Sequence, residues 1–323
     1  MKLAILGSGK IVAEFLSFAA ELDGVEVAAI FARSPQKLAA LQASFGIAKT
    51  YTDYAQCLAD PGVDTVYVAL PNQLHYEFSR QALLAGKHVI CEKPFTTSLA
   101  DFNELRVIAS QRGLMLIEAI SNQYQANYAA IADHLPTLGA VKLIQTSYSQ
   151  YSSRYDDFRR GVIQPAFDPA AGGGALMDLG IYNVHFVVGL LGAPLSARYW
   201  ANTERGIDAS GVLVLDYGHC KAVCVAAKDS ATPNRQLIQG DAGTLVMDAP
   251  PNACGPWVLT RPGVEDLRVD LPVHPHRMYA EFVAFEQLIG ALDLAERDRR
   301  LAHSAVVLHV VLDALAEAGV QLG

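Results

Sequence analysis

The first 120 residues alternate between short apolar runs and helix-length segments, and this alternation restricts the fold more than any other feature of the chain. KLAILG (2–7), VEVAAIF (25–31), VDTVYVAL (63–70), HVIC (88–91) and LMLIEAI (114–120) read as strands. Helical patterns over 10–22, 35–45, 75–86 and 99–113 lie between them, and the last two close on Gly86 and Gly113, as helices often do. Strands separated by helices of this length imply right-handed crossovers and a parallel sheet.

The pattern changes beyond residue 120. A further helix is expected at 122–135, an alternating strand at 141–151, an irregular loop at 152–174 that ends in Gly172-Gly173-Gly174, and a helix at 175–190. Strand-like pieces then follow at 195–203, 210–217, 220–227, 235–240, 243–248 and 256–260 with no helices between them, which points to an antiparallel sheet. Two helices, 276–293 and 300–318, form the tail. A chain of 323 residues exceeds the usual size of about 100–200 for one domain, so two are expected, 1–120 and 121–323.

Several function classes are disfavoured. The formal charge is -8 and no Lys/Arg stripe exists, so nucleic acid is not an expected partner. No apolar window of about 18 residues is read, so no membrane span is expected. Five cysteines at irregular spacing (Cys57, Cys91, Cys220, Cys224 and Cys254) suggest neither a disulfide framework nor a zinc site, and point to a reducing cytoplasm. Cys220 and Cys224 share one face of a strand, which suits sheet packing. His274 and His276 flank a proline and are not taken as metal ligands.

GSGKIV follows the first strand and opens the first helix. In that setting Gly7 permits a tight turn, and Gly9 lets backbone approach a pyrophosphate at the helix N-terminus, with Ser8, Lys10 and Ile11 completing the loop. Val12 stands where the usual pattern has Gly or Ala. The second strand ends in Ala32-Arg33-Ser34 with no acid to hold a ribose 2′-hydroxyl. Arg33 and Ser34 suit a 2′-phosphate instead, favouring NADP while leaving NAD possible.

Ligands of open α/β sheets lie beyond the carboxyl ends of the strands. One such end carries Leu70, Pro71, Asn72 and His75, all candidate cofactor contacts, although Asn72 and His75 can equally be a helix cap and a surface histidine. The other carries Glu92, Lys93 and Pro94, with Glu92 and Lys93 further candidate cofactor contacts. A lysine held there can orient a substrate oxygen and stabilise charge developing on it. Farther on, GGGALMDLGIYNVH places Asp178, Tyr182 and His185 at i, i+4 and i+7, on one face of a regular helix, and a carboxylate, a phenol and an imidazole so aligned suit acid–base chemistry.

Together, GSGKIV, PNQLH, CEKP and GGGALMDLGIYNVH resemble the glucose–fructose oxidoreductase / inositol dehydrogenase / MocA family, nearest to its dimeric dihydrodiol dehydrogenase-like branch, over nearly the whole chain. The resemblance implies an N-terminal Rossmann dinucleotide-binding domain and a C-terminal α+β domain built on an open, mainly antiparallel sheet. It implies hydride transfer between a nicotinamide cofactor and a carbinol carbon of a sugar, polyol or dihydrodiol, and assembly as a homodimer or dimer of dimers. Lys93 matches the family lysine. Tyr182 stands where the inositol-dehydrogenase branch has histidine, so the proton relay is assigned to Tyr182 beside Lys93, with Asp178 orienting substrate or tuning Lys93, and His185 either lining the outer site or bonded to its neighbours as a helix histidine. Asn122, Gln123, Tyr124 and Gln125 replace a more basic family stretch and suggest an uncharged polar lining for the substrate; Tyr151, Arg154, Tyr155 and Asp156 are further candidates for contact. Redox-neutral sugar chemistry with a retained cofactor, and dinucleotide binding without catalysis, are the alternatives.

Overall fold

Why the apolar runs read as buried strands is plain once they are paired. In the computed structural model, which describes residues 1–322, the first elements are β1 (Lys2–Leu6), α1 (Lys10–Phe18), β2 (Glu26–Phe31), α2 (Pro35–Phe45), β3 (Thr50–Tyr51), α3 (Tyr54–Ala59), β4 (Thr65–Val68), α4 (His75–Leu84), β5 (His88–Glu92), α5 (Leu99–Arg112) and β6 (Leu116–Ala119). The six strands form one sheet in the order β3-β2-β1-β4-β5-β6, and every pair is parallel. Leu3, Ile5, Val66, Val68, Val89 and Ile90 are fully buried, since a parallel sheet hides both faces. The strand order reverses between β1 and β4, which places a topological switch point beyond Leu6 and Val68.

This unit comprises Met1–Ala119 and also Met278–Ala302, whereas the sequence reading places everything after 120 in the second domain. The reason lies in side-chain packing. From α9 (Tyr279–Ala291), the Phe282 ring sits 4.3 Å from Phe15 and 5.1 Å from Tyr67, centroid to centroid. Buried Arg297 donates to the Leu114 carbonyl at 2.8 Å. Helical periodicity reveals that a segment has an apolar face but not which surface that face meets.

The second unit comprises Ile120–Arg277 and the chain from His303 onward. It contains α6 (Ala126–His134), β7 (Val141–Ser149), α7 (Tyr155–Arg159), a π turn (Leu176–Gly180) running into α8 (Ile181–Leu191), β8 (Ser196–Glu204), β9 (Ile207–Asp216), β10 (Lys221–Ala227), β11 (Gln236–Gly240), β12 (Thr244–Met247), β13 (Trp257–Arg261) and β14 (Val264–Val269). The remaining long helix, α10, spans Leu294–Glu317. The sheet order is β14-β13-β12-β11-β7-β10-β9-β8. Its pairs are antiparallel except β7 with β10, which run parallel from Leu143 opposite Lys221 to Ser149 opposite Ala227. Neither that pair nor β14 was expected, and α7 lies inside the stretch expected to be an irregular loop.

The two faces of this sheet differ. Leu213, Leu215, Ala222 and Cys224 are buried in a core shared with the π turn and α8. On the opposite face Trp200 is 53% exposed, with Leu143 and Val212 also exposed. Among the described residues, one helical stretch, Pro169–Leu191, is long and apolar enough to cross a membrane, although the sequence reading found no such window. Of its most apolar window, 78% is buried inside the protein, the pattern of a core helix.

Candidate active site

At the switch point the chain must turn sharply out of β1. Gly7 does so with φ of 124°, while its N–H donates to the Phe31 carbonyl at 2.8 Å. A Cβ here would lie 2.4 Å from the Ala69 carbonyl oxygen, so only glycine fits. Helix α1 then starts at Lys10 with Gly9 as its cap residue and no side chain bonded to its first turn. Backbone N–H groups of such a turn are suited to hold phosphate oxygens. Gly9 and Lys10 are exposed, Ser8 and Ile11 are half-buried, and Val12 is fully buried. The Lys10 ammonium lies 3.7 Å from Glu14 on the helix surface. Arg33 is exposed at the end of β2. Ser34 instead caps α2, its Oγ accepting from the Lys37 N–H at 3.4 Å and donating to Gln36 Oε1 at 3.2 Å.

The ends of β4 and β5 are tied together by His75. This residue has no exposed surface, which corrects its reading as a cofactor contact or a surface histidine. Its Nδ1 lies 2.8 Å from the Pro94 carbonyl oxygen and its Nε2 2.9 Å from that of Leu70. Burial holds the His75 pKa below the ordinary 6.5, outweighing the two carbonyl contacts and nearby Glu92. The ring therefore positions Leu70 and the Lys93–Pro94 segment from beneath. Leu70, Asn72, Glu92 and Lys93 remain half-buried, and Pro71 is exposed. The Lys93–Pro94 peptide is cis. Tyr67, buried in β4, donates to Glu92 Oε1 at 2.6 Å and so fixes the carboxylate beside Lys93.

In the second unit, Asp178 lies in the π turn and Tyr182 and His185 in α8. A π turn advances fewer degrees per residue than an α-helix, so the i, i+4, i+7 spacing no longer gives one face. Burial shows the outcome. The Asp178 side chain is 35% exposed, whereas Tyr182 is buried and His185 fully so. His185 Nδ1 lies 2.9 Å from His303 Nε2, which places it in the interior as a bonded helix histidine, the second of the two readings, and not at an outer site. The Tyr182 ring packs edge-on against Tyr148 at 5.8 Å. Asn122 and Gln123, expected to line the substrate, brace α8 instead, donating to the Tyr182 and His185 carbonyls, each at 3.0 Å. Gln125 donates to the Arg277 carbonyl at 2.7 Å. Tyr151 donates to Asp156 and Tyr155 to Glu204, and Arg154 is exposed.

Sequence reasoning passed over Lys228, whose ammonium lies 2.9 Å from Asp178 Oδ2. The signal was present. VCVAAK ends an apolar strand on a lysine much as VICEK does at Lys93. Asp208 was also missed. It is buried, accepts from the Leu176 N–H at 2.7 Å and from the Tyr199 hydroxyl at 2.8 Å, and is pushed up to about 6 by burial. It thereby anchors the start of the π turn. All five cysteines are buried free thiols.

Comparison with known proteins agrees with this architecture. The family description "Oxidoreductase family, NAD-binding Rossmann fold" matches residues 1–120, and "GFO/IDH/MocA C-terminal domain" matches 136–246. The scyllo-inositol 2-dehydrogenase (NADP(+)) IolU of Bacillus subtilis is 31% identical, the alignment covering 99% of this chain and 98% of that protein. The D-xylose 1-dehydrogenase (NADP(+)) 2 of Haloferax volcanii is 33% identical over 68% of this chain and 67% of its own. Among solved structures, the 3-ketoreductase KijD10 of Actinomadura kijaniata, in complex with TDP-benzene and NADP, superposes with a TM-score of 0.80 at 25% identity, covering 97% of this chain and 96% of that one. A glycine turn at the switch point of a parallel sheet, a lysine at the neighbouring strand end and a full-length relative together establish that the chain belongs to the GFO/IDH/MocA oxidoreductase family and is an NAD(P)-dependent oxidoreductase.

Proposed function

We propose that the enzyme interconverts a CH–OH group of a sugar, polyol or diol and the corresponding carbonyl, with NADP as the preferred cofactor. The observation that carries this reading is the loading of neighbouring strand ends. Gly7 and the uncapped first turn of α1 are shaped for a pyrophosphate, and Lys93 leaves the end of β5 with Glu92 fixed beside it. The names of the relatives in Bacillus subtilis and Haloferax volcanii support both the substrate class and NADP, as does Arg33 with no acid at the end of β2. The nicotinamide, when bound, supplies the hydride acceptor or donor.

Each residue then has a distinct task. The Lys93 ammonium stabilises negative charge developing on the substrate oxygen. Tyr182 exchanges the hydroxyl proton that must leave as hydride leaves, or return when it is delivered. Asp178, held by Lys228, accepts hydrogen bonds from substrate hydroxyls. The uncovered sheet face around Trp200, Val212 and Leu143 supports a homodimer or a dimer of dimers paired through that face. Five buried, unbridged thiols support a reducing, cytoplasmic setting.

The test is a cofactor absorbance assay with scyllo-inositol, D-xylose and trans-1,2-dihydrobenzene-1,2-diol, each with NADP and with NAD. Turnover of at least one, faster with NADP, is expected. No hydride transfer to or from any of them or their keto forms, with either cofactor, removes the proposed substrate class.

A further inference from the structure

Lysine is seldom buried, because its ammonium loses water that only strong partners replace. Lys228 is 2% exposed and follows the last residue of β10. Its main-chain N–H donates to the Ala209 carbonyl, and its own carbonyl accepts from the Ser152 N–H, so the backbone is fixed on both sides. The ammonium has three partners. It lies 2.9 Å from Asp178 Oδ2, donates to the Ala166 carbonyl, and stands 4.5 Å from the centre of the Phe167 ring. Asp208, also buried, adds a second negative group nearby.

The triple glycine explains how this arrangement closes. A Cβ on Gly173 would lie 2.6 Å from the Pro165 carbonyl oxygen and 2.8 Å from the Ala166 carbonyl carbon. Only glycine lets the 165–167 segment lie against the start of the π turn, where the Ala166 carbonyl and Phe167 ring meet Lys228. Gly173 therefore serves the surroundings of Asp178.

We propose that Lys228 is a positioning residue for substrate: its buried ammonium fixes one oxygen of the Asp178 carboxylate, so that a side chain still 35% exposed meets substrate hydroxyls in one orientation. This rests on the reading of Asp178 as a substrate contact. A held carboxylate needs no reordering when substrate arrives, and misplacement by about 1 Å can cost about 10²-fold in rate. Lys228 touches no reacting atom, and its effect passes through Asp178.

Lys228→Met, Asp178→Asn and the double variant test this in the full-length enzyme, with whichever of scyllo-inositol, D-xylose and trans-1,2-dihydrobenzene-1,2-diol is turned over fastest. Each single variant is expected to lower kcat/KM by about 10²-fold while NADPH affinity stays unchanged. The double variant should be no worse than the poorer single one, because both changes remove the same interaction. If Asp178→Asn loses activity and Lys228→Met keeps it, the positioning role is overturned and the reading of Asp178 stands. If neither variant loses activity, the reading of Asp178 falls as well. A crystal structure of Lys228→Gln with NADP gives a readout independent of turnover and of whether the methionine variant folds. A displaced or disordered Asp178 carboxylate is expected, and an unmoved one overturns the proposal.

Discussion

His75 Nδ1 lies 2.8 Å from the Pro94 carbonyl oxygen, so a buried imidazole at the start of α4 holds the segment that carries Lys93. Because burial depresses the His75 pKa, the folded protein binds this proton less readily than the unfolded chain. Its stabilising contribution is full above the ordinary 6.5 and is lost as pH falls from there towards the depressed folded value. His75→Ala should cost about 1–3 kcal/mol at pH 7.5, because the carbonyl to which the neutral ring donates is left unpaired, and the deficit should narrow by pH 5.5. Thermal melts of both proteins across that range measure it; a deficit that stays constant removes the titration argument.

Lys93→Met and Tyr182→Phe should each lower kcat by about 10²-fold or more, the usual scale of lost acid–base help. Cofactor affinity should change little, since the Gly7 turn and α1 are untouched. Stopped-flow hydride transfer and fluorescence titration separate the two effects. Near-normal hydride transfer in both variants would leave the strand-end lysine with a structural role only.

Arg33→Asp should exchange an NADP preference for an NAD preference by repelling a 2′-phosphate and offering a ribose 2′-hydroxyl an acceptor. Ser34→Ala acts differently because Ser34 caps α2. It should lower stability by about 0.5–2 kcal/mol and alter cofactor choice less than Arg33→Asp. Dissociation constants for both dinucleotides, with a denaturant titration, test the pair. Tighter NAD binding by the unmodified enzyme would sink the first expectation.

Trp200→Glu should convert the proposed dimer to a monomer at micromolar concentration, by placing a charge on the uncovered sheet face. Sedimentation velocity reads this directly. A monomeric parent protein would show that the face is left to solvent.

Much of the first unit is written in local pattern. Apolar runs, helix lengths and closing glycines yield nearly every strand of the parallel sheet because each signal lies within a few residues of what it specifies. The second unit shows where local reading stops. The parallel pairing of β7 with β10 joins segments far apart in sequence, and alternation alone carries no direction. The π turn hides for a similar reason: MDLGIY has ordinary helical composition, yet one wider turn separates Asp178 from the face expected for His185. At the site, Gly7 and Lys93 were legible as strand-end residues. His75 was misread because the groups facing its two ring nitrogens are backbone oxygens of other loops, which no side-chain pattern reports. Lys228 had a visible signal whose meaning depended on Asp178, fifty residues away.

The return of residues 278–302 to the first unit bears on synthesis. A ribosome releases β1 through β6 well before it reaches Phe282, the ring that covers Phe15 and Tyr67. Until then the apolar side chains under α1 lack their native cover, and the nucleotide-binding half cannot finish folding as an independent N-terminal piece. A fragment ending at residue 120 should therefore emerge sticky and incomplete, and adding 278–302 in trans should restore its solubility. Completion of the dinucleotide unit is thereby expected to wait until residues 278–302 have been made, which couples the maturation of one unit to the translation of the other.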